Sequence, residues 1–474
     1  MIGLQQVPYR LDKAHQVYHL WLGPRYGAYL PSTYRTSLAA PMRRGESVVM
    51  KMRSPAPSEI LEEAQHTVAY IGTFPPRACG IATFTRDLSA AVADCSPSLR
   101  TWVLAIDDTS LPHVYPPPVR GIVDQDNPES WSDSARRLNA SPVDVVSIQH
   151  EFGIDGRFDP VGGYTNYLAG FLADIRKPVV ATLHTVLPRP RPELRAAVQA
   201  LAAPSTVVVT MVDLAARILE EEYGLDPTTM QTIPHGVPVV TPIPPEQARR
   251  TLHLEGRTRL TTFGLLSRGK GIEQVINILP RIAGRHPSVL YLVVGETHPE
   301  VRRQEGEQYR AMLAELVRRL GMEEHVRFVN RYLPNPELIR YLQATDIYVT
   351  PYTGAAQITS GTLAYALGCG KAVVSTPYLY ATEALAQGRG LLADFDSPPS
   401  LARCILRFLE QPNIRAECER RALAYGRMMQ WPAVGRRYAD LFTRIIEATA
   451  WERRARKLTS LEALGGAPPS VFVR

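Results

Sequence analysis

Long apolar runs are absent from this sequence. None of its 474 residues belongs to a stretch of about 18 consecutive apolar residues, which a membrane-spanning helix needs. The first residues, MIGLQQVPYRLDKAH, carry charges where the apolar core of a signal peptide would lie. We therefore expect no transmembrane segment and a cytoplasmic location.

Paired cysteines and common metal or nucleophile motifs are also absent. The five cysteines are scattered and form no C-x-x-C pair, which argues against a disulfide framework or a zinc site. The sequence contains neither H-E-x-x-H nor G-x-S-x-G, so zinc hydrolysis and serine-nucleophile catalysis have no support. We expect no metal and no cofactor.

Positive charge is concentrated near the start of the chain. Residues 1–53 hold eight Lys/Arg and two Asp/Glu, so they account for six of the seven net positive charges. We predict a basic extension, 1–66, that is either a flexible arm or a segment ahead of a later start at Met50 or Met52. Because the rest of the chain is nearly neutral, we expect no nucleic-acid partner.

Short apolar runs then alternate with stretches that suit helices. Runs such as VDVVSIQH (143–150) and PVVATLHT (178–185) indicate strands buried on both faces, as in a parallel sheet covered by helices. Five prolines in 233–247 interrupt this series, and RLTTFG (259–264) resumes it. The sequence predicts an α/β protein with two doubly wound, Rossmann-like domains facing each other across a cleft. The predicted segments are an amino-terminal domain at 67–240, a carboxy-terminal domain at 246–428, a crossover helix at 429–450 and a tail at 451–474.

The stretch FGLLSRGKGIE fits most of a phosphate-loop pattern. Gly264 to Lys270 matches G-x-x-x-x-G-K, but Gly271 stands where the Ser or Thr that ligates magnesium is required. We interpret the stretch as a strand-to-helix turn that presents Lys270 to a diphosphate. The alternative is a glycine turn with a solvated lysine.

A second candidate anion site precedes the helix-like stretch TLAYALG. Thr359, Ser360, Gly361 and Thr362 would bring hydroxyls and N–H groups together at a helix start, which favours phosphate oxygens. An ordinary capped helix would have the same sequence, and both interpretations stay open.

Three candidates follow strands of the amino-terminal domain, and Gly80 lies in a turn after its first strand. His150 and Glu151 in IQHEFG and His184 in TLHT end predicted strands at the edge facing the cleft. A lone histidine is more often structural, but two at strand ends in one domain favour a contact of at least one with substrate.

The order of PPRACGIATF, QHEFG, TLHT, IPHGV, GLLSRGKGIE and SGTLAYALGCGKAVVST resembles the GT-B-fold glycosyltransferases of family 4. These are retaining enzymes that use nucleotide sugars, and the resemblance covers about residues 67–445. It implies that the carboxy-terminal domain binds the donor, that the amino-terminal domain binds the acceptor, and that the last helix returns to the amino-terminal domain.

The resemblance also implies roles for particular residues. Lys270 matches the lysine that contacts the donor diphosphate, His184 the histidine beside the transferred sugar, and Gly80 the glycine loop near the diphosphate. The donor-binding set on this alignment is Gly80, Gly264, Arg268, Lys270, Gln357, Thr359, Ser360, Gly361 and Thr362.

The chain departs from the family pattern at three positions. Gln357 and Tyr365 align with two glutamates, one at the donor sugar and one at the ribose, and Leu265 aligns with an arginine. We hypothesise that Arg268 supplies the missing positive charge.

Three functions are compatible with these features. The first is a retaining transferase that moves a hexose from a nucleotide sugar, with GDP-mannose slightly favoured over UDP-glucose, to a saccharide or other hydroxyl acceptor. The second is a retaining sugar phosphorylase with phosphate near Lys270 and Ser360. The third is a non-catalytic sugar- or nucleotide-binding protein on the same scaffold.

Overall fold

The structure is a computed structural model that describes residues 65–108, 113–159 and 163–463. Most of the predicted basic extension, residues 1–64, and residues 464–474 of the predicted tail lie outside the described residues. Backbone contacts place the described residues in one unit.

The amino-terminal domain is built on a parallel sheet, which has seven strands in the described part of the chain, in the order β3-β2-β1-β4-β7-β8-β9. Every residue of β4 and β7 is buried, because helices cover both faces, and this explains the Val, Ile, Ala and Leu residues in VVSIQH and VVATL. The strands are β1 (His66–Gly72), β2 (Leu99–Asp107), β3 (Val119–Asp124), β4 (Val145–His150), β7 (Val179–Leu183), β8 (Val207–Thr210) and β9 (Met230–Thr232). The helices are α1 (Gly80–Cys95), α2 (Pro128–Asn139), α3 (Leu168–Asp174), α4 (Pro192–Ala202) and α5 (Asp213–Tyr223), and a small antiparallel hairpin consists of β5 (Gly156–Asp159) and β6 (Gly163–Asn166).

The carboxy-terminal domain repeats this plan with a sheet of six described parallel strands in the order β12-β11-β10-β13-β14-β15. Its first helix buries Ile272, Val275, Ile276 and Leu279 on one face, as their spacing predicts. The strands are β10 (Thr258–Phe263), β11 (Val289–Val294), β12 (Val326–Val329), β13 (Ile347–Thr350), β14 (Ala372–Ser375) and β15 (Leu391–Leu392). The helices are α6 (Pro245–Thr251), α7 (Ile272–Ala283), α8 (Pro299–Glu305), α9 (Gln308–Arg319), α10 (Asn335–Ala344), α11 (Gly361–Gly368), α12 (Leu379–Ala384), α13 (Pro398–Glu410) and α14 (Pro412–Met428).

The last helix, α15 (Trp431–Ala463), returns to the amino-terminal domain. Its Tyr438 hydroxyl lies 3.1 Å from Thr182 Oγ1, and Phe442 packs edge-on against Tyr70 with ring centroids 6.0 Å apart. The predicted crossover, 429–450, therefore corresponds to the first part of a longer helix. Among the helices in the described residues, none combines the length and the apolar character needed to cross a bilayer.

These elements confirm the predicted α/β class with two doubly wound domains. Parallel strands of one sheet share a direction, so their carboxyl ends lie at one edge, where ligands bind in folds of this kind. The turns after β1 and β10 and the ends of β4, β7 and β11 all lie at such edges.

Candidate functional site

A cavity of about 400 Å³ lies between the two domains. The start of α1 forms part of its wall, and the turn after β10, the end of β11, the start of α10 and the start of α11 form the rest. Of the residues predicted from sequence, the cavity brings together Gly80, Gly264, Lys270, Gly361 and Thr362.

The turn between β10 and α7 needs glycine at two places. Gly264 has φ +131° and Gly271 has φ +61°, conformations that residues with a Cβ rarely adopt. A Cβ on Gly271 would also lie 2.1 Å from the carbonyl oxygen of Pro351. This backbone carries Lys270 to the cavity wall.

Lys270 is held by an aromatic side chain that the sequence analysis did not single out. Its Nζ donates to the Tyr352 hydroxyl at 2.7 Å and lies 4.1 Å from the centroid of that ring. The Tyr352 hydroxyl is in turn 2.7 Å from Thr362 Oγ1, which is 3.2 Å from Ser360 Oγ. A chain of hydrogen bonds thus joins the lysine of one turn to the start of α11.

The buried Tyr352 hydroxyl is electrostatically coupled to that lysine. Burial would raise the pKa of Tyr352, but the Lys270 ammonium and the hydrogen bonds from Lys270, Thr362 and Ser360 outweigh burial and lower it. The Lys270 ammonium thus stabilises the ionised form of Tyr352.

The start of α11 combines the two interpretations left open by its sequence. Ser360 caps the helix, since its Oγ accepts from the Leu363 N–H at 3.3 Å. Gly361 and Thr362 line the cavity at the positive end of the helix dipole.

Other predicted donor residues do not line the cavity. Arg268 points outward, where it pairs with Glu305 at 2.9 Å and lies over the Tyr309 ring. Gln357 donates to the carbonyl oxygen of Thr359 within its own loop. The structure thus gives no support to Arg268 as the replacement for the missing family arginine. Leu265, which aligns with that arginine, does line the cavity.

His184 lies behind the cavity wall rather than on it. Its Nε2 is 3.1 Å from Gln149 Oε1, and its ring packs edge-on against Phe84 at 4.8 Å. Burial, followed by the nearby His235 and His150, lowers the pKa of His184 to about 3, so the ring is neutral near pH 7.

His235 joins this cluster, although the sequence analysis named it only as part of IPHGV. Its Nδ1–H donates to the carbonyl oxygen of Gly236 at 2.7 Å, and its ring packs on Phe84 at 5.1 Å. A Cβ on Gly361 would lie 3.1 Å from His235 Nε2. Burial lowers the pKa of His235 to about 4.

The predicted acceptor-side residues, the buried His150 and the half-buried Glu151, do not line the cavity. His150 Nδ1 lies 2.5 Å from Asp155 Oδ2, and Glu151 accepts from the Thr185 hydroxyl at 2.7 Å. Burial opposes the charged form of His150, but Asp155 outweighs it and raises the pKa. Burial raises the pKa of Glu151.

Tyr365 lines the cavity at the position aligned with a glutamate. Burial raises its pKa, so it presents a neutral hydroxyl rather than a carboxylate. Nearby, the Thr83 hydroxyl of the amino-terminal domain lies 3.1 Å from that of Tyr332 in the other domain. Among the described residues, no group of His, Cys, Asp and Glu side chains is arranged to hold a metal ion.

Residues 245–424 match the family described as Glycosyl transferases group 1. The carboxy-terminal domain is a group 1 glycosyltransferase domain. For that domain, the match confirms the glycosyltransferase class expected from the motifs.

Curated relatives of the chain are glycosyltransferases by name. It is 28% identical over 274 residues to a D-inositol 3-phosphate glycosyltransferase of Acidothermus cellulolyticus, covering 54% of this chain and 59% of that protein. It is 26% identical to a phosphatidyl-myo-inositol mannosyltransferase of Mycolicibacterium smegmatis, covering 48% of this chain and 54% of that protein. The match thus spans little more than half the length of these relatives.

The likeness to solved structures covers both the amino-terminal and the carboxy-terminal domain. Sucrose-phosphate synthase from Thermosynechococcus elongatus has a TM-score of 0.65 at 16% identity, covering 81% of this chain and 100% of that one. Anabaena HepE in complex with UDP and glucose has a TM-score of 0.61 at 19% identity, covering 80% and 100%. At these identities the likeness shows the fold, and it confirms the GT-B arrangement.

Proposed function

We propose that this chain is a retaining glycosyltransferase that moves a hexose from a nucleotide sugar to a hydroxyl of a saccharide or another acceptor. The observation that carries the proposal is the convergence of Lys270 and the start of α11 on one cavity between the domains. A cation and a helix amino terminus directed at the same space suit a diphosphate. The group 1 domain and the names of the relatives support the same reaction class.

In this proposal the protein stabilises the leaving group and positions the acceptor. The bond between the sugar and the diphosphate breaks as the acceptor oxygen bonds to the same face of the sugar, and a departing phosphate oxygen takes the acceptor proton. Lys270, held by Tyr352, stabilises the negative charge that develops on the diphosphate. No protein side chain has to transfer a proton.

In this proposal the neutral His184 acts through its hydrogen bond to Gln149 and its packing against Phe84. An imidazole with a pKa of about 3 is neither a cation nor an effective base near pH 7. The ring of His184 packs against Phe84, Phe84 packs against His235, and His235 adjoins Gly361 of the cavity wall. His184 therefore supports the cavity wall near the transferred sugar.

For the donor we propose GDP-mannose ahead of UDP-glucose. A mannosyltransferase among the relatives supports the former, and the UDP and glucose bound by HepE support the latter. Tyr365 and Asn335 line the cavity and would offer a hydroxyl and an amide to the ribose where a carboxylate is expected.

A panel of nucleotide sugars tests the proposal by thermal shift and by release of nucleoside diphosphate. A donor should raise the melting temperature of the wild type, since it binds only the native state. The shift should shrink in Lys270→Ala and persist in Arg268→Ala, the matched cation that points away. Retention would be checked from the anomeric configuration of the product by NMR.

Two outcomes would replace the proposal. Absence of any nucleotide shift, together with phosphate-dependent breakdown of a disaccharide, would identify a sugar phosphorylase. A nucleotide shift without turnover for any acceptor tried would identify a binding protein.

A further inference from the structure

A larger hollow of about 690 Å³ lies at the other end of the amino-terminal sheet. One wall consists of the segments that lead into β7, β8 and β9, which include Lys177, Thr206 and Thr228. Because these strands are parallel, their amino ends lie at the edge opposite the cleft. We call this hollow the basal groove.

The other wall of the basal groove is one face of α15. Arg444, Ala448, Glu452 and Arg456 recur every four residues along the helix, with Arg453 beside them. The face is apolar where Ile445 continues the domain core, and it becomes cationic toward the end of the helix.

Positive charge predominates in this lining. Five basic side chains face one carboxylate, that of Glu452, whose only described ion pair is with Arg456 at 3.8 Å. Arg176 and Arg453 form no ion pair with any described residue. The basic residues of the lining are Arg176, Lys177, Arg444, Arg453 and Arg456.

Some arginines elsewhere on the surface are paired along their helix. Arg318 with Glu315 and Arg420 with Glu417 form ion pairs with nitrogen–oxygen distances of 2.7 Å. The basal groove differs from these sites because its five basic side chains outnumber the one carboxylate in its lining.

The cations of the basal groove also repel each other. Lys177 is half-buried and donates to the carbonyl oxygen of Ser141 at 3.2 Å. Burial, and then the charge of Arg453, lower the pKa of Lys177. An anion between these two side chains would relieve the repulsion.

We propose that the basal groove binds a phosphate-bearing ligand, with the phosphate among Arg176, Lys177 and Arg453. Phosphate oxygens match the geometry of guanidinium groups, and Thr206 adds a hydroxyl at the same rim. The apolar floor accommodates the remainder of the ligand, and the volume falls in the range of about 300 to 1,000 Å³ typical of small-molecule sites. This site is separate from the cavity at Lys270 and does not depend on the proposed transfer.

Pyrophosphate is the probe for a calorimetric titration of the full chain. The titration uses the Lys270→Ala variant, so that the cleft contributes little, and it is repeated with the wild type. Arg453→Gln combined with Lys177→Gln should weaken binding about tenfold or more, because each removes a charge-assisted contact. Glu452→Gln should strengthen binding, since it removes the one negative charge of the lining.

Arg454→Gln is the matched control, because Arg454 is an exposed neighbour that does not line the basal groove. It should leave binding unchanged. Hydrogen exchange should show that pyrophosphate protects residues 444–456. Equal weakening by the Arg453 and Arg454 substitutions, or unchanged exchange in that segment, would overturn the proposal.

A membrane headgroup and a free phosphate ligand offer the same chemistry. Sedimentation with phosphatidylcholine vesicles, with and without phosphatidylglycerol, separates the two sources. Binding that requires phosphatidylglycerol and is lost in the Arg453→Gln and Lys177→Gln variant assigns a lipid headgroup. Binding of pyrophosphate without binding of vesicles assigns a free ligand.

Discussion

The turns after β1 and after β10 occupy the same position in the two domains, yet their chemistry differs. Both reach the cavity, but only the second places a cation there, Lys270. In the first, Arg77 is drawn away, since its guanidinium donates to the carbonyl oxygen of Ile106 at 3.2 Å and to Gln125 Oε1 at 2.8 Å. The fold provides two equivalent positions, and the side chains make only one of them an anion site.

The glycines of the two turns also differ in what they are needed for. Gly80 is exposed, and a Cβ there would meet no atom within 4 Å. Gly271 has a left-handed backbone against the carbonyl oxygen of Pro351. The first turn therefore accepts a Cβ at position 80, whereas the backbone of the second requires glycine at position 271.

The largest expected effect tests whether Lys270, in the turn after β10, supplies the positive charge that acts on the donor. Lys270→Ala should lower turnover roughly 100-fold or more, as loss of a preorganised charge at a leaving group does. Arg77→Ala, the cation of the first turn, should change turnover far less. The measurement is kcat at saturating donor, with circular dichroism to verify folding. Comparable losses in both variants would remove the distinction between the turns.

The second test concerns the backbone of each turn. Gly271→Ala should lower the free energy of unfolding by about 2 kcal/mol or more, because the new Cβ meets a carbonyl oxygen at a positive φ. Gly80→Ala should change it by less than about 0.5 kcal/mol. Urea denaturation measures both. A Gly271→Ala protein as stable as the wild type would show that position 271 accepts a Cβ without strain.

A smaller effect is expected from the partner of Lys270. Tyr352→Phe keeps the ring under the ammonium but removes the hydroxyl, so turnover should fall about tenfold through misplacement of the charge. Tyr378→Phe is the control, since Tyr378 stacks on Tyr352 at 5.1 Å without contacting Lys270. If the two variants lose turnover equally, Tyr352 acts through packing alone.

The smallest expected effect concerns His184, the neutral histidine that packs against Phe84 of α1. The folded-state pKa values of His184 and His235, about 3 and 4, lie below the ordinary value near 6.5, so the unfolded chain takes up protons first as pH falls. Their contribution to stability is complete above about pH 6.5 and is lost toward pH 4.

His184→Gln should therefore flatten the decline in unfolding free energy between pH 6.5 and 4, by up to about 1.4 kcal/mol per pH unit. His253→Asn, at an exposed position, should leave the slope as in the wild type. Thermal or urea unfolding at several pH values gives the slopes. A wild-type slope in His184→Gln would mean that this ring is charged in the folded state.

The fold was predictable because local patterns determine it. Buried parallel strands favour short apolar runs, and the glycines around Lys270 mark a turn whatever surrounds them. The role of Lys270 stays a prediction, but its place at the cavity follows from that turn.

The contacts of the site were less predictable because they join distant parts of the chain. Tyr352 meets Lys270 across 82 positions, and His235 meets Gly361 from the interdomain connection. Arg268 is two residues from Lys270, but the 3-10 turn at Arg268–Lys270 directs it toward Glu305 instead. Sequence spacing alone does not give the direction of a side chain on such a turn.

The path of α15 makes the carboxy-terminal domain an insertion within the amino-terminal one. The two chain crossings lie side by side, with the Val237 N–H donating to the Met429 carbonyl at 2.8 Å and the Trp431 N–H to the Val237 carbonyl at 2.9 Å. Val434, Tyr438 and Phe442 then complete the core against the first strand. During synthesis, the domain that begins first is therefore the last to finish folding, because its core waits for residues made after the whole of its partner.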